Sequence, residues 1–294
     1  MSLHKAKLKT DITGWVFVGV ASILIFTFFF YPMINAFWLS LHSGMGVNLN
    51  FVGFDNYIRL FRDATFITAV GNTFIYLIIQ VPVMIILALF FSTILNRSDL
   101  KFRGFFRTAI FLPSITSLVA YATVFTVLFG HQGVINQLLL RTGLIGSPMQ
   151  WLTDPVLARI TIIIAITWRW TGYNMIFYLS ALQNVDAAIY EAARIDGASA
   201  VDQFFKITIP MLKPIILFTA IMSTNGTLQL FDEVVNITGG GPGNATLTMS
   251  QYIYNLSFVF TPDFGYAATV SYAILIMVVI LAFIQFKVAG RDNV

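Results

Sequence analysis

Six long apolar segments constrain what this chain can fold into more than any other feature of its sequence. They cover about residues 15–41, 70–95, 105–129, 156–182, 214–235 and 267–288. A helix needs about 20 mainly apolar residues to cross the hydrocarbon core of a bilayer, and each segment reaches that length. Strands of an outer-membrane barrel would instead alternate over about ten residues, and the segments show no such alternation. The sequence therefore predicts an all-α integral membrane protein with six transmembrane helices.

The composition agrees with a protein that crosses the membrane several times. Hydrophobic residues make up 57% of the 294 residues and charged residues only 10%, whereas a soluble domain of this length would need far more charge on its surface. The first apolar segment is too long for a removed signal peptide. No long linker interrupts the chain, so residues 1–294 are predicted to form one transmembrane domain. The absence of cysteine excludes disulfides and thiol chemistry.

The distribution of basic residues predicts the orientation in the membrane. With a cytoplasmic N-terminus, twelve of the 17 Lys and Arg residues fall on the cytoplasmic side. These are Lys5, Lys7, Lys9, Arg97, Lys101, Arg103, Arg107, Arg194, Lys206, Lys213, Lys287 and Arg291. The positive-inside rule favours this orientation and places both termini in the cytoplasm. Because the positive charges lie in short loops, they do not indicate nucleic-acid binding.

Residues 184–213 form the most polar segment of the chain. Four acidic and three basic residues lie between Asp186 and Lys213. A connector that only lies on the membrane surface is the alternative interpretation, but it would be rich in Lys and Arg. The small side chains of Ala192 and Ala193 would let a partner approach closely, and Glu191 can form a charge-assisted contact with a basic residue. The segment is therefore interpreted as a docking element for a soluble partner.

The same segment carries the signals of a helix–turn–helix. Asp186 is predicted to cap a first helix, and Gly197 is predicted to stop it in a left-handed conformation. Ser199 is predicted to begin a second helix with a capping-box spacing. Pro210 and Pro214 are expected to end this second helix before the fifth transmembrane span.

Several motifs resemble those of a known family. Glu191-Ala-Ala-Arg-Ile-Asp-Gly197, followed by Ile207-Thr-Ile-Pro210, resembles the signature loop of permeases of binding-protein-dependent ABC importers. Three further stretches resemble the sugar-transporting branch, namely Trp168-Arg-Trp-Thr-Gly-Tyr-Asn174, Thr238-Gly-Gly-Gly-Pro242 and Phe51-Val-Gly-Phe-Asp-Asn-Tyr57. That branch includes the first permease subunit of maltose-, lactose- and glycerol-phosphate-type systems, and the similarity spans nearly the whole chain.

The resemblance implies the type I importer permease fold, with segment 184–213 seated as coupling helices in a cleft of an ATPase subunit. The positions it assigns to this coupling are Tyr190, Glu191, Ala192, Ala193, Asp196 and Gly197. It also implies a heterodimer with a second homologous permease subunit, two ABC ATPase subunits that use ATP and magnesium, and an extracytoplasmic sugar-binding protein. This chain would then be no enzyme, with no catalytic residue, metal or cofactor of its own, in the lipid bilayer of the bacterial cytoplasmic (inner) membrane.

Two polar and aromatic helix faces are predicted to form the substrate path. Arg169 and Asn225 lie at matching depths of about half the membrane thickness, measured from opposite faces. Amides and a guanidinium can bind sugar hydroxyls, and aromatic rings can pack against sugar C–H faces. The residues themselves point to Arg169, Trp170, Tyr173, Asn174, Asn225, Thr227 and Gln229, and the resemblance to the maltose-type permease adds Gly226, Leu230 and Phe231. The alternative for Arg169 is an internal pair with a carboxylate such as Asp232.

The favoured function is the import of a sugar or oligosaccharide, and two alternatives stay open. An importer of glycerol 3-phosphate or another sugar phosphate is compatible with Arg169. An ion-coupled secondary transporter would be expected to show inverted repeats and acidic residues at mid-span. The glycine-rich residues 238–244 lack the Lys-Ser/Thr ending of a P-loop, so they are predicted to form a turn with positive φ angles rather than a nucleotide site.

Overall fold

A computed structural model of the chain describes residues 3–45, 48–97 and 99–290, with side chains over 14–44, 49–97 and 99–288. Arg291, one of the predicted cytoplasmic charges, lies outside the described residues. The side chains of Lys5, Lys7 and Lys9 lie outside the described part as well.

Helices make up most of the structure. They are α1 (Leu3–Ile25), α2 (Tyr31–Ser40), α3 (Asp55–Leu60), α4 (Ala64–Asn96), α5 (Arg103–Ile115), α6 (Leu118–Leu128), α7 (Val134–Arg141), α8 (Pro155–Leu182), α9 (Ala187–Ile195), α10 (Ala200–Gln203), α11 (Ile209–Leu228), α12 (Asp232–Ile237), α13 (Met249–Tyr254) and α14 (Phe264–Gly290). Three π-helical segments join some of them, at Phe26–Phe30, Phe204–Thr208 and Asn255–Val259. Two short antiparallel strands, β1 (His42–Met45) and β2 (Asn48–Phe51), were not predicted from the sequence.

Helices occupy all six predicted span positions. Within the described residues, four helical stretches are long and apolar enough to cross a membrane, namely Gly14–Ser40, Ala64–Asn96, Ala200–Leu228 and Phe264–Val288. The bent pair α5 and α6 makes a fifth if it counts as one span. Helix α8, at the position of the fourth predicted span, is 28 residues long. It is less apolar because Arg169, Asn174 and several threonines are among the residues it buries.

The third predicted span, residues 105–129, is not one straight helix. Helices α5 and α6 meet at an angle of 101°. Pro113 lies inside α5 and cannot donate the backbone hydrogen bond of a regular helix. The hydroxyls of Ser114 and Thr116 donate to the carbonyl oxygens of Phe111 and Pro113 at 2.7 and 2.9 Å. The Thr116 bond satisfies the carbonyl of Pro113, which lies in the last turn of α5 and has no helical partner, and the bend is therefore tolerated.

The fifth span also differs from the predicted bounds, residues 214–235, at both ends. The two prolines do not end the preceding helix, because Pro210 lies in the first turn of α11 and Pro214 lies inside it. A continuous helical stretch runs from Ala200 to Leu228 through the π-helical turn before α11, and such turns re-satisfy backbone groups that proline leaves unpaired. The helix does not continue to residue 235. It ends at Leu228, and the next helix, α12, begins at Asp232.

The structure divides into two compact units, of which the first contains residues 1–62 and 253–273. Its centre is Asn56, whose side-chain amide donates to the carbonyl oxygens of Ser40 and His42, both at 2.9 Å. Arg59 forms an ion pair of 2.8 Å with Asp263. These contacts fasten the strands and α3 to the start of α14.

The second unit contains residues 63–252 and 274–294, and its core lies between α4, α8, α5 and α11. A Cβ atom at Gly172 would lie 2.0 Å from the carbonyl oxygen of Ile110, so only glycine fits where α8 meets α5. The Tyr178 hydroxyl contacts Thr219 Oγ1 at 2.6 Å and joins α8 to α11. Close backbone approach and a buried hydrogen bond therefore fix the helices around α8.

The segment 130–155 between α6 and α8 is organised by one buried amide. Asn136 of α7 is 1% exposed, and its Nδ2 donates to the carbonyl oxygens of His131 and Met149 at 3.0 and 2.9 Å. Its Oδ1 accepts from the Met149 N–H and the Trp151 indole, both at 3.0 Å.

The predicted turn at residues 238–244 is confirmed, with φ angles from 53° to 87° at three glycines and Asn244.

Candidate functional site

A cavity of about 290 Å³ lies between α4, α8 and α11 in the second unit. Seven of the ten predicted substrate-path residues line it: Trp170, Tyr173, Asn174, Asn225, Gly226, Thr227 and Leu230. Eight further lining residues were not predicted: Gln80, Met84, Ile166, Phe177, Phe218, Thr219, Met222 and Ser223. Among the described residues, no charged side chain lines this cavity.

Aromatic side chains form one wall of the cavity. Trp170 and Tyr173 lie edge to face with ring centroids 5.6 Å apart, and Phe177 follows Tyr173 at 5.1 Å. Phe218 of α11 continues the row at 6.0 Å from Phe177. Trp170 and Tyr173 are 37% and 40% exposed, so their rings can contact a bound molecule.

Polar side chains from three helices form a hydrogen-bonded group around Gln80 and Met84. The Gln80 Nε2 and the Asn174 Nδ2 both donate to the Met84 sulfur, at 3.4 and 3.2 Å. The Thr227 hydroxyl donates to Gln80 Oε1 at 3.2 Å. The sequence offered one signal for Gln80, namely an amide side chain in the middle of an apolar span. Polar residues at such positions are commonly functional. The sequence did not show that Gln80 faces the same space as Asn174.

Arg169 does not line the cavity. Only 8% of its surface is exposed, and its guanidinium carbon lies 5.2 Å from the ring centroid of Tyr121 and 5.7 Å from that of Trp170. It interacts electrostatically with Glu233. Asp232, the carboxylate named as an alternative partner, is exposed. Arg169 therefore lies behind the wall that Trp170 forms.

The two other predicted residues outside the lining lie in the break between α11 and α12. Gln229 is exposed, and its amide donates to Asn225 Oδ1 at 2.5 Å. Phe231 is half-buried. Both residues follow the end of α11 at Leu228.

The predicted helix caps of segment 184–213 are confirmed. The Asp186 side chain accepts from the Ala188 N–H at 2.9 Å at the start of α9. Gly197 ends this helix with a φ of 80°. The Ser199 hydroxyl oxygen accepts from the Asp202 N–H at 3.1 Å at the start of α10. Local capping chemistry therefore produces the elbow between α9 and α10.

The predicted coupling residues lie on and beside α9. Glu191, Ala192, Asp196 and Gly197 are exposed, whereas Tyr190 and Ala193 are half-buried. The Tyr190 hydroxyl contacts Thr208 Oγ1 at 3.0 Å. This bond fastens α9 to the π-helical turn that leads into α11.

Sequence reasoning missed an exposed apolar patch on the same segment. Ile195, Val201 and Phe205 are 87%, 66% and 61% exposed. Large apolar side chains on a polar loop are typical of a surface that contacts another protein.

The neighbouring loop between α4 and α5 carries a bidentate ion pair. The Arg97 guanidinium contacts the Asp99 carboxylate through two hydrogen bonds of 2.7 and 3.1 Å. This hydrogen bonding holds the pKa of the Asp99 carboxyl below its usual value. Both side chains are exposed, so the pair adds little to stability.

Among the described residues, no group of His, Asp or Glu side chains is arranged to hold a metal ion.

Comparison with known proteins identifies the family. Residues 64–289 match the family model described as the inner membrane component of binding-protein-dependent transport systems. The chain belongs to this family. It is a membrane permease rather than an enzyme. It is 56% identical over 290 residues to the lactose transport system permease protein LacF of Rhizobium radiobacter, with 98% of this chain and 97% of LacF covered.

More distant relatives and solved structures agree. The arabinooligosaccharides transport system permease protein AraP of Bacillus subtilis is 33% identical, with 94% of this chain and 88% of AraP covered. A bacterial ABC transporter involved in the import of the acidic polysaccharide alginate has a chain that superposes with a TM-score of 0.83 at 23% identity, covering 99% of both chains. The predicted importer permease fold is therefore confirmed.

Proposed function

We propose that this permease imports an uncharged sugar or oligosaccharide that an extracytoplasmic binding protein delivers. The observation that carries the proposal is the cavity of α4, α8 and α11, which is lined by amides, hydroxyls and the rings of Trp170 and Tyr173. Such groups match the hydroxyls and C–H faces of a sugar. The 56% identity to a lactose permease supports the same substrate class.

The charge of the cavity favours a neutral sugar over a sugar phosphate. Phosphate recognition normally uses Arg, Lys or a cluster of backbone N–H groups. Arg169 is the basic residue that the sequence offered for this role, but it is buried behind Trp170 and interacts with Glu233. A neutral ligand fits the amide and hydroxyl groups that remain.

The other subunits follow from the family. We propose that the chain forms a single transmembrane domain and pairs with a second homologous permease subunit on two ABC ATPase subunits. Those ATPase subunits would hydrolyse ATP together with magnesium, which neutralises part of the phosphate charge. Segment 184–213 would contact the ATPase from the cytoplasm, through Tyr190, Glu191, Ala192, Ala193, Asp196 and Gly197. Both termini would then be cytoplasmic in the bacterial inner membrane, as the positive-inside rule predicts.

Reconstitution tests the proposal. The permease is purified with its partner subunits, placed in lipid vesicles and supplied with the binding protein loaded in turn with radiolabelled lactose, maltose, trehalose and arabinobiose. We expect uptake of at least one sugar with ATP on the ATPase side and none with a non-hydrolysable analogue. Ionophores that remove proton and sodium gradients should have no effect. Uptake that needs an ion gradient but no ATP would make the chain a secondary transporter.

A further inference from the structure

Gln80 is a buried amide within the long apolar helix α4, and the prediction of the substrate path did not include it. It is 2% exposed and lines the cavity together with Met84, one turn further along the same helix. Buried amides in a membrane span need polar partners. The hydrogen bonds of Gln80 run to Thr227 Oγ1 at 3.2 Å and to the Met84 sulfur at 3.4 Å.

Two amides converge on the same sulfur atom. Asn174 of α8 is 3% exposed, and its Nδ2 lies 3.2 Å from the Met84 sulfur and 3.0 Å from the carbonyl oxygen of Trp170. A thioether is a weak hydrogen-bond acceptor, so the amide N–H groups that point at it are poorly satisfied. Methionine is unbranched and flexible. Its sulfur can therefore yield its place to a better acceptor at small cost.

Thr227 fixes the orientation of the Gln80 amide. The one proton of its hydroxyl is shared between Gln80 Oε1 at 3.2 Å and the carbonyl oxygen of Ser223 at 2.8 Å. With the oxygen end held by α11, the Nε2 end of Gln80 points toward Met84 and Asn174. The donor arrangement is thus set before any ligand enters.

We propose that Gln80 and Asn174 form a hydrogen-bonding subsite for one hydroxyl of the transported sugar, in which the hydroxyl oxygen displaces the Met84 sulfur as acceptor. This inference rests on the proposed function of sugar import. Gln80 becomes a specificity-determining residue on α4, in addition to the predicted residues on α8 and α11. A site built to hydrogen-bond a hydroxyl discriminates strongly against analogues that lack it.

The test compares Gln80→Leu with the wild type across a series of analogues. The reconstituted complex receives saturating binding protein loaded with the imported sugar of the panel or with each of its monodeoxy analogues. Because the same binding protein serves both permeases, its own selectivity cancels from the ratio of the two import rates. Thr73→Val is the matched control, since Thr73 is buried on α4, bonds to the backbone of its own helix and does not line the cavity.

We expect Gln80→Leu to lower import of the parent sugar about ten-fold, the loss of one good hydrogen bond. The analogue that lacks the recognised hydroxyl should be imported equally by variant and wild type. The midpoint of thermal unfolding should stay within about 2 °C of the wild type. Unchanged import, an equal loss for every analogue, or the same loss in Thr73→Val would overturn the subsite. A wild type that imports no sugar of the panel would overturn the proposed function instead.

Met84→Leu separates binding from structure. It removes the sulfur acceptor and keeps the volume of the side chain. If the sugar hydroxyl is the functional acceptor, import and the discrimination between analogues are retained. If the two amides serve only to hold α4 and α8 together through the sulfur, Met84→Leu should lower both the unfolding midpoint and the import rate below those of the wild type, and the subsite would be refuted.

Discussion

Arg169 shows how the surroundings of one residue decide its role in this permease. The guanidinium is buried beside Tyr121 and Trp170 and interacts with the carboxylate of Glu233. Removal of the guanidinium would take a favourable electrostatic interaction away from the buried Glu233 carboxylate. We therefore infer that Arg169 holds Trp170 and Glu233 in position rather than contacting the substrate.

This role predicts a rescue between two substitutions. Arg169→Met should destabilise the complex by about 0.5–3 kcal/mol because it removes the positive charge that interacts with the buried Glu233 carboxylate. Adding Glu233→Gln should restore most of that loss, since it removes the charge. Thermal unfolding of the purified complex in detergent measures both effects. Losses that simply add in the double variant would show that the two side chains are not coupled.

Gly172 leads to a second prediction at the scale of the residue. Gly172→Ala would place a Cβ atom 2.0 Å from the carbonyl oxygen of Ile110, so α8 and α5 would have to separate. We expect a loss of stability of about 1–3 kcal/mol, typical of overpacking, seen as a lower unfolding midpoint. Gly71→Ala on α4 is the matched control, because its Cβ would meet no heavy atom within 4 Å. Similar midpoints for the two variants would contradict the close approach.

At the scale of the element, short helix α9 depends on its caps. It has nine residues, and isolated helices shorter than about 12 residues are marginal in water. The Asp186 cap and the Tyr190 contact with Thr208 are therefore important for holding α9 in place beside α11.

Removal of the cap should loosen this helix. Asp186→Ala is expected to destabilise α9 by about 1 kcal/mol, which corresponds to roughly five-fold faster amide hydrogen exchange over residues 187–195. Asp186→Asn keeps a side-chain oxygen acceptor and should exchange like the wild type. Equal exchange in all three proteins would mean that tertiary contacts alone hold α9.

The breaks in α5–α6 and α11–α12 are also properties of elements. Pro113 disturbs α5 locally but does not by itself set the 101° bend, because helix direction depends on what each half packs against. The break after Leu228 carries no proline. There the Thr248 hydroxyl donates to the carbonyl oxygen of Leu230 at 2.6 Å, a contact between residues 18 positions apart that local sequence does not reveal.

At the scale of the whole molecule, the proposed transport requires that the elbow between α9 and α10 and the cavity respond to each other. Helix α9 is joined to the stretch that continues into α11, and α11 lines the cavity. We infer that the permease exchanges between two conformations, and that ATP on one side and the loaded binding protein on the other bias this equilibrium.

Charge reversal in the elbow should separate assembly from transport. Glu191→Lys replaces an exposed carboxylate that we propose contacts a basic residue of the ATPase, so ATP-dependent uptake should fall at least ten-fold while membrane insertion is unchanged. Lys101→Glu reverses an exposed charge on the neighbouring loop and should transport normally. Uptake assays in vesicles with matched amounts of inserted protein measure the difference. Normal uptake by Glu191→Lys would refute the coupling role.

The sequence by itself determined the helical membrane architecture, the caps of α9 and α10, and seven of the residues that line the cavity. These features depend on local physics, namely the length of apolar segments, the chemistry of capping side chains and the periodicity of a helix face. Only the tertiary structure decided that Arg169 lies behind the cavity wall, that Gln80 and Met84 belong to the lining, and that two predicted spans are broken. Those outcomes depend on which helices pack together, and packing between distant segments leaves no regular spacing in the chain.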